Sequence, residues 1–143
     1  MNEAPQICVH QDMDGLYGIA ACWGDVMANV HKSLGVVGVL TNGAIRDIPG
    51  MPDGIQMLAS GEKPSHGELH MVDFGGPVQV CGLTVRDGDL VHMDRNGAAV
   101  IPHHLTVDLP AAVRKVAERE QAIIGAAQQG RGNWDEVRKL MGG

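Results

Sequence analysis

Apolar positions along this chain follow several spacings, and each predicts a different element. Gln6–His10 (QICVH) is a short apolar run entering the acidic turn Asp12-Met13-Asp14-Gly15, the pattern of a buried strand running into a loop. From Leu16 to Leu34 apolar residues recur at helical spacing, interrupted by Gly18 and Gly24. This predicts a helix over about Asp25–Leu34, preceded by a looser helical turn and stopped by a C′ glycine at Gly35. Val36–Thr41 (VVGVLT) is continuously apolar and β-branched, as in a strand covered on both faces. Helix, glycine stop and buried strand in that order predict an α/β layer. The strand ends at Asn42-Gly43, before Ala44-Ile45-Arg46-Asp47, and polar residues at the carboxyl end of a buried strand occupy the usual ligand position of an open α/β sheet.

Residues 48–70 are rich in Gly, Pro and Ser and hold one short strand candidate near Ile55–Leu58. From Val78 the pattern changes to VQVCGLTV, DLVHMD and GAAVIP, separated by turns at Asp87-Gly88 and Arg95-Asn96-Gly97, which predicts antiparallel strands. Beyond Pro102 the chain turns helical. One helix is expected from Leu109-Pro110 to about Gln128, with Val113, Val116, Ala117, Ile123 and Ile124 on one side. After the Gly130-Arg131-Gly132 break a short helix is expected over Asn133–Met141.

Composition narrows the functional classes. The 143 residues carry a formal net charge of −6 and no Lys/Arg run, which excludes a phosphate-tracking nucleic-acid surface. No apolar stretch approaches the roughly 18–20 residues that span a bilayer. The start, MNEAPQICVHQD, lacks the basic and apolar regions of a secretory signal. Three cysteines (Cys8, Cys22, Cys81) in no metal-like spacing fit a reducing compartment. The expectation is one cytoplasmic globular domain over residues 1–143, with 129–143 as a helical tail.

The strongest chemical constellation is Gly24-Asp25-Val26-Met27 together with Arg46-Asp47, one helix and one strand apart. Free amides at the start of the Asp25 helix make an anion site. The Arg46 guanidinium can fork onto a carboxylate. Asp25 and Asp47 offer hard oxygens to Mg²⁺ or Mn²⁺, ions that keep several waters and take one or two carboxylates. A carboxylate clamp beside such a metal is what chelation of a 2-keto acid requires. The same residues also fit plainer roles: Asp25 as a helix cap or dipole partner, Arg46-Asp47 as a surface turn or local ion pair. The residues alone leave both open.

Asp25, twenty residues, then Arg46-Asp47 resembles the D-x20-R-D signature of the family called regulator of ribonuclease activity A. That family includes the 4-hydroxy-4-methyl-2-oxoglutarate aldolases, and many members are labelled demethylmenaquinone methyltransferase. The segments WGDVMANVHKSLGVVGVLTNGAIRD and PVQVCGLTVRDGDLVHMDRNGAAVIP resemble the family's helix–strand–GxxRD block and closing β-segment, and the likeness covers about residues 6–128. The resemblance implies an α/β fold of the swivelling β/β/α type, a single RraA-like domain with a mixed sheet and C-terminal helices. It implies a homo-oligomer, trimer or hexamer. It also implies that Gly24, Asp25, Val26 and Met27 surround the substrate carboxylate, with the Val26 and Met27 amides donating. Arg46 then binds the keto acid and steadies its enolate oxygen, Asp47 ligates the metal directly, and Asp25 acts on it through water.

The activity so implied is a Mg²⁺- or Mn²⁺-dependent lyase on a pyruvate-containing 2-keto acid, of the aldolase or oxaloacetate decarboxylase type. No Schiff-base lysine is required, and Lys32 and Lys63 are expected at the solvated surface. The alternative is a non-catalytic regulator whose acidic surface masks a basic segment of a ribonuclease or other protein partner. Two departures bear on the choice. Family aldolases carry an acidic residue three positions after the Arg-Asp aspartate, where this chain has Gly50. The family also has a further N-terminal portion, helical and then β, before the strand corresponding to Gln6–His10.

Other candidates read as structural. His66-Gly67-Glu68-Leu69-His70 has Glu68 out of order for a zinc helix, and Pro64 and Gly67 oppose a helix there, which leaves His66 or His70 as a candidate lining of the keto-acid pocket. His103-His104 is expected in a solvated turn. Asp12-Met13-Asp14-Gly15 lacks the rest of a calcium loop, and Cys22 and Cys81 read as small core residues. No glycine-rich nucleotide fingerprint follows a strand.

Overall fold

The computed structural model describes residues 5–14 and 19–142. Contacts divide the chain into two compact units, Met1–Ile101 and Pro102–Gly143. The first is a mixed α/β unit and the second is helical.

In the first unit the chain alternates between two small parallel sheets. Strands β1 (Gln6–His10), β3 (Val36–Thr41) and β5 (Gln56–Leu58) form one, in the order β1-β3-β5. Strands β2 (Ala21–Trp23), β4 (Ala44–Ile45) and β6 (Gly61–Glu62) form the other, in the order β2-β4-β6. β3 passes into β4 through Asn42-Gly43 alone, so a long strand is in effect broken by one polar corner. Asn42 secures that corner to the segment after β1. The Asp12 amide donates to Asn42 Oδ1 (2.7 Å) and Asn42 Nδ2 donates to the Asp12 carbonyl (2.8 Å). A Cβ on Gly43 would stand 2.7 Å from Asp12 Oδ2, so the corner closes only around glycine. The Asp14 amide donates to Asp12 Oδ1 (2.9 Å), which makes the acidic turn a side-chain-capped turn.

Helix α1 (Asp25–Ser33) joins β2 to β3. Asp25 sits in its first turn and His31 and Lys32 in its last, matching the helix dipole, and Ala28 is wholly buried. Gly35 follows at φ +92°, the left-handed stop that its position predicts. Val39 and Leu40 of β3 form the centre of the core, although Val37 is 42% exposed. The looser helical turn expected before α1 is corrected: Ala21–Trp23 is a strand, with Ala21 and Trp23 fully buried. Leu16–Gly18 lie outside the described residues. A three-residue parallel strand leaves no alternation for the sequence to display, and its small and aromatic residues continue the helical spacing by coincidence.

Two hairpins follow, β7 (Val78–Val80) with β8 (Leu83–Val85) and β9 (Leu90–Asp94) with β10 (Gly97–Ile101). Gly38 of β3 admits the second hairpin, since a Cβ there would lie 2.4 Å from Met93 Cε. The β7–β8 turn is Cys81-Gly82 at φ +48° and +86°, the two positive angles of a type I′ turn. Cys81 is therefore exposed on a turn, which corrects its reading as a core residue. Asparagine enters this conformation far more readily than cysteine. Cys81→Asn is expected to stabilise the unit by about 0.5–1 kcal/mol, read as a melting temperature raised by about 2–4 °C in thermal circular dichroism.

The second unit holds a 3₁₀ turn at His103–Leu105, α2 (Leu109–Gln128) and α3 (Trp134–Met141). Asn133 Nδ2 donates to the Ala126 carbonyl (3.1 Å), Arg119 Nη2 to the Met141 carbonyl (3.3 Å), and Ala126 and Val137 are buried. Of the apolar side expected on α2, Val113, Val116 and Ile124 are 56%, 55% and 44% exposed. Burial within the unit centres on Ala126, near the carboxyl end of the helix. No helix among the described residues is long and apolar enough to cross a membrane.

Candidate active site

Parallel pairing of β2 with β4 explains how Asp25 and Arg46-Asp47 meet. Ala21 pairs with Ala44 and Trp23 with Ile45, and the Arg46 amide extends the ladder onto the Trp23 carbonyl (2.8 Å). Gly24-Asp25 leaves the carboxyl end of β2 as Arg46-Asp47 leaves that of its neighbour β4. The sequence placed the site at the end of the β3 strand. The structure places it one short strand further on, in the second sheet.

The Arg46 side chain is 18% exposed, and its Nη1 donates to Asp47 Oδ2. Its Nε is buried and has no hydrogen-bond partner among the described residues. A buried guanidinium N–H without an acceptor is costly, so this donor is poised for one. Gly24 forms the floor beneath it. A Cβ there would stand 2.9 Å from Arg46 Cζ and 3.0 Å from both Arg46 Nη1 and Asp47 Oδ2. Asp47 adopts the left-handed region (φ +57°, ψ +37°), an uncommon conformation for a residue with a side chain, and it turns the chain immediately into the 3₁₀ segment Ile48–Gly50.

Asp25 faces that 3₁₀ segment. A Cβ on Gly50 would lie 2.8 Å from Asp25 Oδ2, so the position where family aldolases carry an acid directly abuts the Asp25 carboxylate. Asn29, one helical turn on, donates through Nδ2 to the Asp25 carbonyl (2.8 Å) and the Gly50 carbonyl (3.3 Å), joining α1 to the Asp47 turn. Nothing in the sequence pattern singles out Asn29. Asp25 Oδ1 accepts from the Val26 amide (2.7 Å), and the first intrahelical bond of this end is Ala28 N–H to the Gly24 carbonyl (3.0 Å). The Val26 side chain is 69% exposed and Met27 is half-buried.

The chain matches the family model described as RraA-like, Aldolase/RraA, over residues 3–100. It belongs to the RraA-like family. A provisionally named 4-hydroxy-4-methyl-2-oxoglutarate aldolase of Stutzerimonas stutzeri is 33% identical over 94 residues, which cover 61% of this chain and 55% of that protein. A second protein of that provisional name, from Halalkalibacterium halodurans, is 33% identical over 112 residues, 70% of this chain and 50% of its own. The chain thus spans about half the length of the curated relatives it matches. Among solved structures, an uncharacterized Pseudomonas syringae protein superposes with a TM-score of 0.69 at 24% identity, covering 96% of this chain and 65% of that one. A Streptomyces coelicolor protein, described as an unusual member of the RNase ES inhibitor RraA family, superposes at 0.65 and 24% identity, covering 80% and 59%. These likenesses show the RraA fold.

Asp25 and Asp47 are the carboxylates of this site that could hold a hard divalent ion. Among the described residues no group of three or more His, Cys, Asp or Glu side chains converges to hold a metal. The site offers two carboxylates, and an ion such as Mg²⁺ completes its shell with water and substrate oxygens. Lys32 is exposed and its ammonium donates to the Asp53 carbonyl. Lys63 is half-buried rather than on the solvated surface, and its amide extends the β4–β6 pairing onto the Ile45 carbonyl (3.0 Å). His66 and His70 are exposed on a segment without helix.

Behind the site, Trp23 Nε1 donates to His10 Nδ1 (3.2 Å), and the indole lies 4.7 Å from the His31 ring. His31 Nδ1 in turn donates to the Met27 carbonyl (2.9 Å). Burial raises the Cys22 thiol pKa; Asp12 adds to the rise and Arg46 opposes it. Burial likewise raises Cys8, with Cys22 adding. Both sulfurs are thereby held as thiols, the reverse of what a nucleophile needs.

Burial lowers the His10 pKa below its ordinary 6.5, with Asp12 acting weakly the other way. The neutral ring is also the form that accepts from Trp23. With the folded value below the unfolded one, the unfolded chain takes up the proton first. The stability this contributes is complete above the unfolded pKa and is lost as pH falls through the window below it. Urea unfolding midpoints are expected to fall between about pH 7.5 and 5.5, and to fall less in His10→Gln.

Proposed function

We propose that this RraA-like chain is a divalent-metal-dependent carbon–carbon lyase acting on a pyruvate-containing 2-keto acid, of the 4-hydroxy-4-methyl-2-oxoglutarate aldolase or oxaloacetate decarboxylase type. The observation that carries the reading is the buried, unpartnered Nε of Arg46 beside the amino end of α1. Asp47 directly, and Asp25 through water, are the residues that would hold Mg²⁺ or Mn²⁺, which supplies Lewis acidity when bound.

The chain's own groups then divide the work. The amino end of α1, bounded by Gly24 to Met27, receives the substrate carboxylate, which takes the place of Asp25 Oδ1 on the Val26 amide. Arg46 donates to the keto oxygen. When the carbon–carbon bond breaks, its electron pair stays on the pyruvate-derived fragment and charge develops on that oxygen. A donor already in place there lowers the barrier without reorganising. Asp47 holds one edge of the guanidinium and fixes its plane, while Gly24 lets that plane lie against the backbone. Aldol cleavage and decarboxylation leave the same enolate; decarboxylation releases CO₂ directly, whereas aldol cleavage also passes the hydroxyl proton of the departing fragment to water as its carbonyl forms.

Gly24→Ala tests the floor. Its backbone (φ −129°) accepts alanine, and the atoms displaced are the ends of flexible side chains, so the fold is expected to survive. Turnover is expected to fall about 100-fold through misplacement of Arg46. Steady-state kinetics beside a thermal melt separates the two effects.

Oxalate, a planar mimic of the pyruvate enolate, tests the proposed function directly. Calorimetry in the presence of Mg²⁺ is expected to show oxalate binding that weakens about 10–100-fold in Arg46→Ala, the range for lost charge-assisted hydrogen bonds. Equal binding by the variant, or none by the parent, would contradict the lyase reading and favour a regulator that binds a ribonuclease or another protein, for which Arg46 is dispensable.

A further inference from the structure

The two carboxylates of the site stand on backbone that the sheet itself does not hold. The β2–β4 ladder ends at the bond from the Arg46 amide to the Trp23 carbonyl (2.8 Å). Asp25 lies beyond that bond in the first turn of α1, and Asp47 lies beyond it at the head of the 3₁₀ turn. Asp47 is held at φ +57°, a conformation that costs a residue with a side chain and persists only where its surroundings fix it. Helix and turn therefore need a tie of their own, past the end of the ladder.

Asn29 makes that tie. It is exposed on α1, one turn after Asp25, and its Nδ2 donates to the Asp25 carbonyl (2.8 Å) and to the Gly50 carbonyl (3.3 Å). Both partners are acceptors, so the amide must present its nitrogen, and each of its two hydrogens serves one of them. The Gly50 amide in turn donates to the Asp47 carbonyl (2.9 Å) and closes the 3₁₀ turn. One run of hydrogen bonds thus passes from the Asp25 backbone through Asn29 and Gly50 to the Asp47 backbone. The two parts meet closely, since a Cβ on Gly50 would stand 2.8 Å from Asp25 Oδ2. Gly50 permits the approach and Asn29 fixes it. Alanine would suit the exposed helix better than asparagine does, so the helix alone gives no reason for this residue.

We infer that Asn29 is a positioning residue for the divalent ion, whose amide sets the spacing of Asp25 and Asp47 by locking the Asp47 turn to α1. The inference rests on the reading of this site as a metal-dependent lyase. Asn29 acts through the backbone of both carboxylates, in the way that outer partners orient metal ligands.

Mn²⁺ binding to the full chain without substrate, read from the electron paramagnetic resonance signal of the free ion, tests this. The parent is compared with Asn29→Ala, Asn29→Ser and Asp47→Ala. The dissociation constant is expected to rise about 10-fold in Asn29→Ala, the lower end of the range for loss of an outer partner. A serine hydroxyl reaches back to the Asp25 carbonyl but not across to Gly50, so Asn29→Ser is expected to bind as weakly as Asn29→Ala. Asp47→Ala is expected to lose binding. Thermal melting separates positioning from support of the fold. Alanine favours α1, so the melting temperature of Asn29→Ala is expected to equal or exceed the parent's while its Mn²⁺ affinity falls. An Asn29→Ala or Asn29→Ser variant that binds Mn²⁺ as tightly as the parent, with Asp47→Ala defective, would overturn the inference and leave the lyase reading standing. Weaker binding by Asn29→Ala together with a lower melting temperature would make Asn29 a structural residue and overturn it too. A parent that binds no Mn²⁺ would overturn both.

Discussion

Arg46→Ala is expected to lower turnover of a pyruvate-containing 2-keto acid about 10²–10³-fold, the loss that follows removal of one donor to a developing oxyanion. Arg46 combines a cation, a buried Nε without a hydrogen-bond partner among the described residues, and an Nη1 held by Asp47. Lysine keeps the charge but not the fork, so Arg46→Lys is expected to recover only a small part of the loss. Steady-state kinetics on oxaloacetate gives the magnitude. An effect on kcat and kcat/KM in equal measure marks an interaction made in the transition state, whereas a rise in KM alone would mark ground-state binding. Stability should change less than activity. The Arg46 backbone stays tied to Trp23 through its amide, and Asp47, at 45% side-chain exposure, can turn to water.

Trp23→Ala is expected to cost about 3–5 kcal/mol of stability, a large share of the total that a domain of this size possesses. Trp23 is 2% exposed, and it joins three elements. It is a residue of β2, its ring packs on His31 of α1, and its indole N–H donates to His10 of β1. Its carbonyl also holds the Arg46 amide, so loss of the ring loosens the strand that carries the site. Trp23→Phe keeps most of the buried area and gives up the N–H, so its cost should be well below that of alanine. Urea denaturation followed by circular dichroism gives both values.

How much of this was legible depended on how local the cause was. The β3 strand, the Gly35 stop, the β9–β10 hairpin and the span of α2 follow from periodicity and turn residues within a few positions, and each stands as read, whereas VQVCGLTV, read as one run, folds back on itself as the β7–β8 hairpin. The Asp25 and Arg46-Asp47 pairing was visible as a spacing, because parallel neighbours β2 and β4 are separated by one helix and one strand. What supports the pair was not visible. The family likeness sets Gly24 beside the substrate carboxylate but not as the surface against which the guanidinium lies, and nothing in the sequence pattern singles out Asn29, which bonds the Gly50 carbonyl. Gly50 reads as a lost acid, whereas the structure shows a glycine that makes room for Asp25. β2 was hidden for a related reason, since three residues are too few to show a period. Cys81 was misread because apolar alternation says nothing of a two-residue turn at positive φ.

The most direct test is pyruvate release from oxaloacetate by the purified chain, with Mg²⁺ and with a chelator, beside Asp47→Ala. The account predicts metal-dependent turnover above that of free Mg²⁺, abolished by the chelator and lost in the variant. Folded protein that releases pyruvate no faster than free Mg²⁺, or an Asp47→Ala variant as active as the parent, would contradict it.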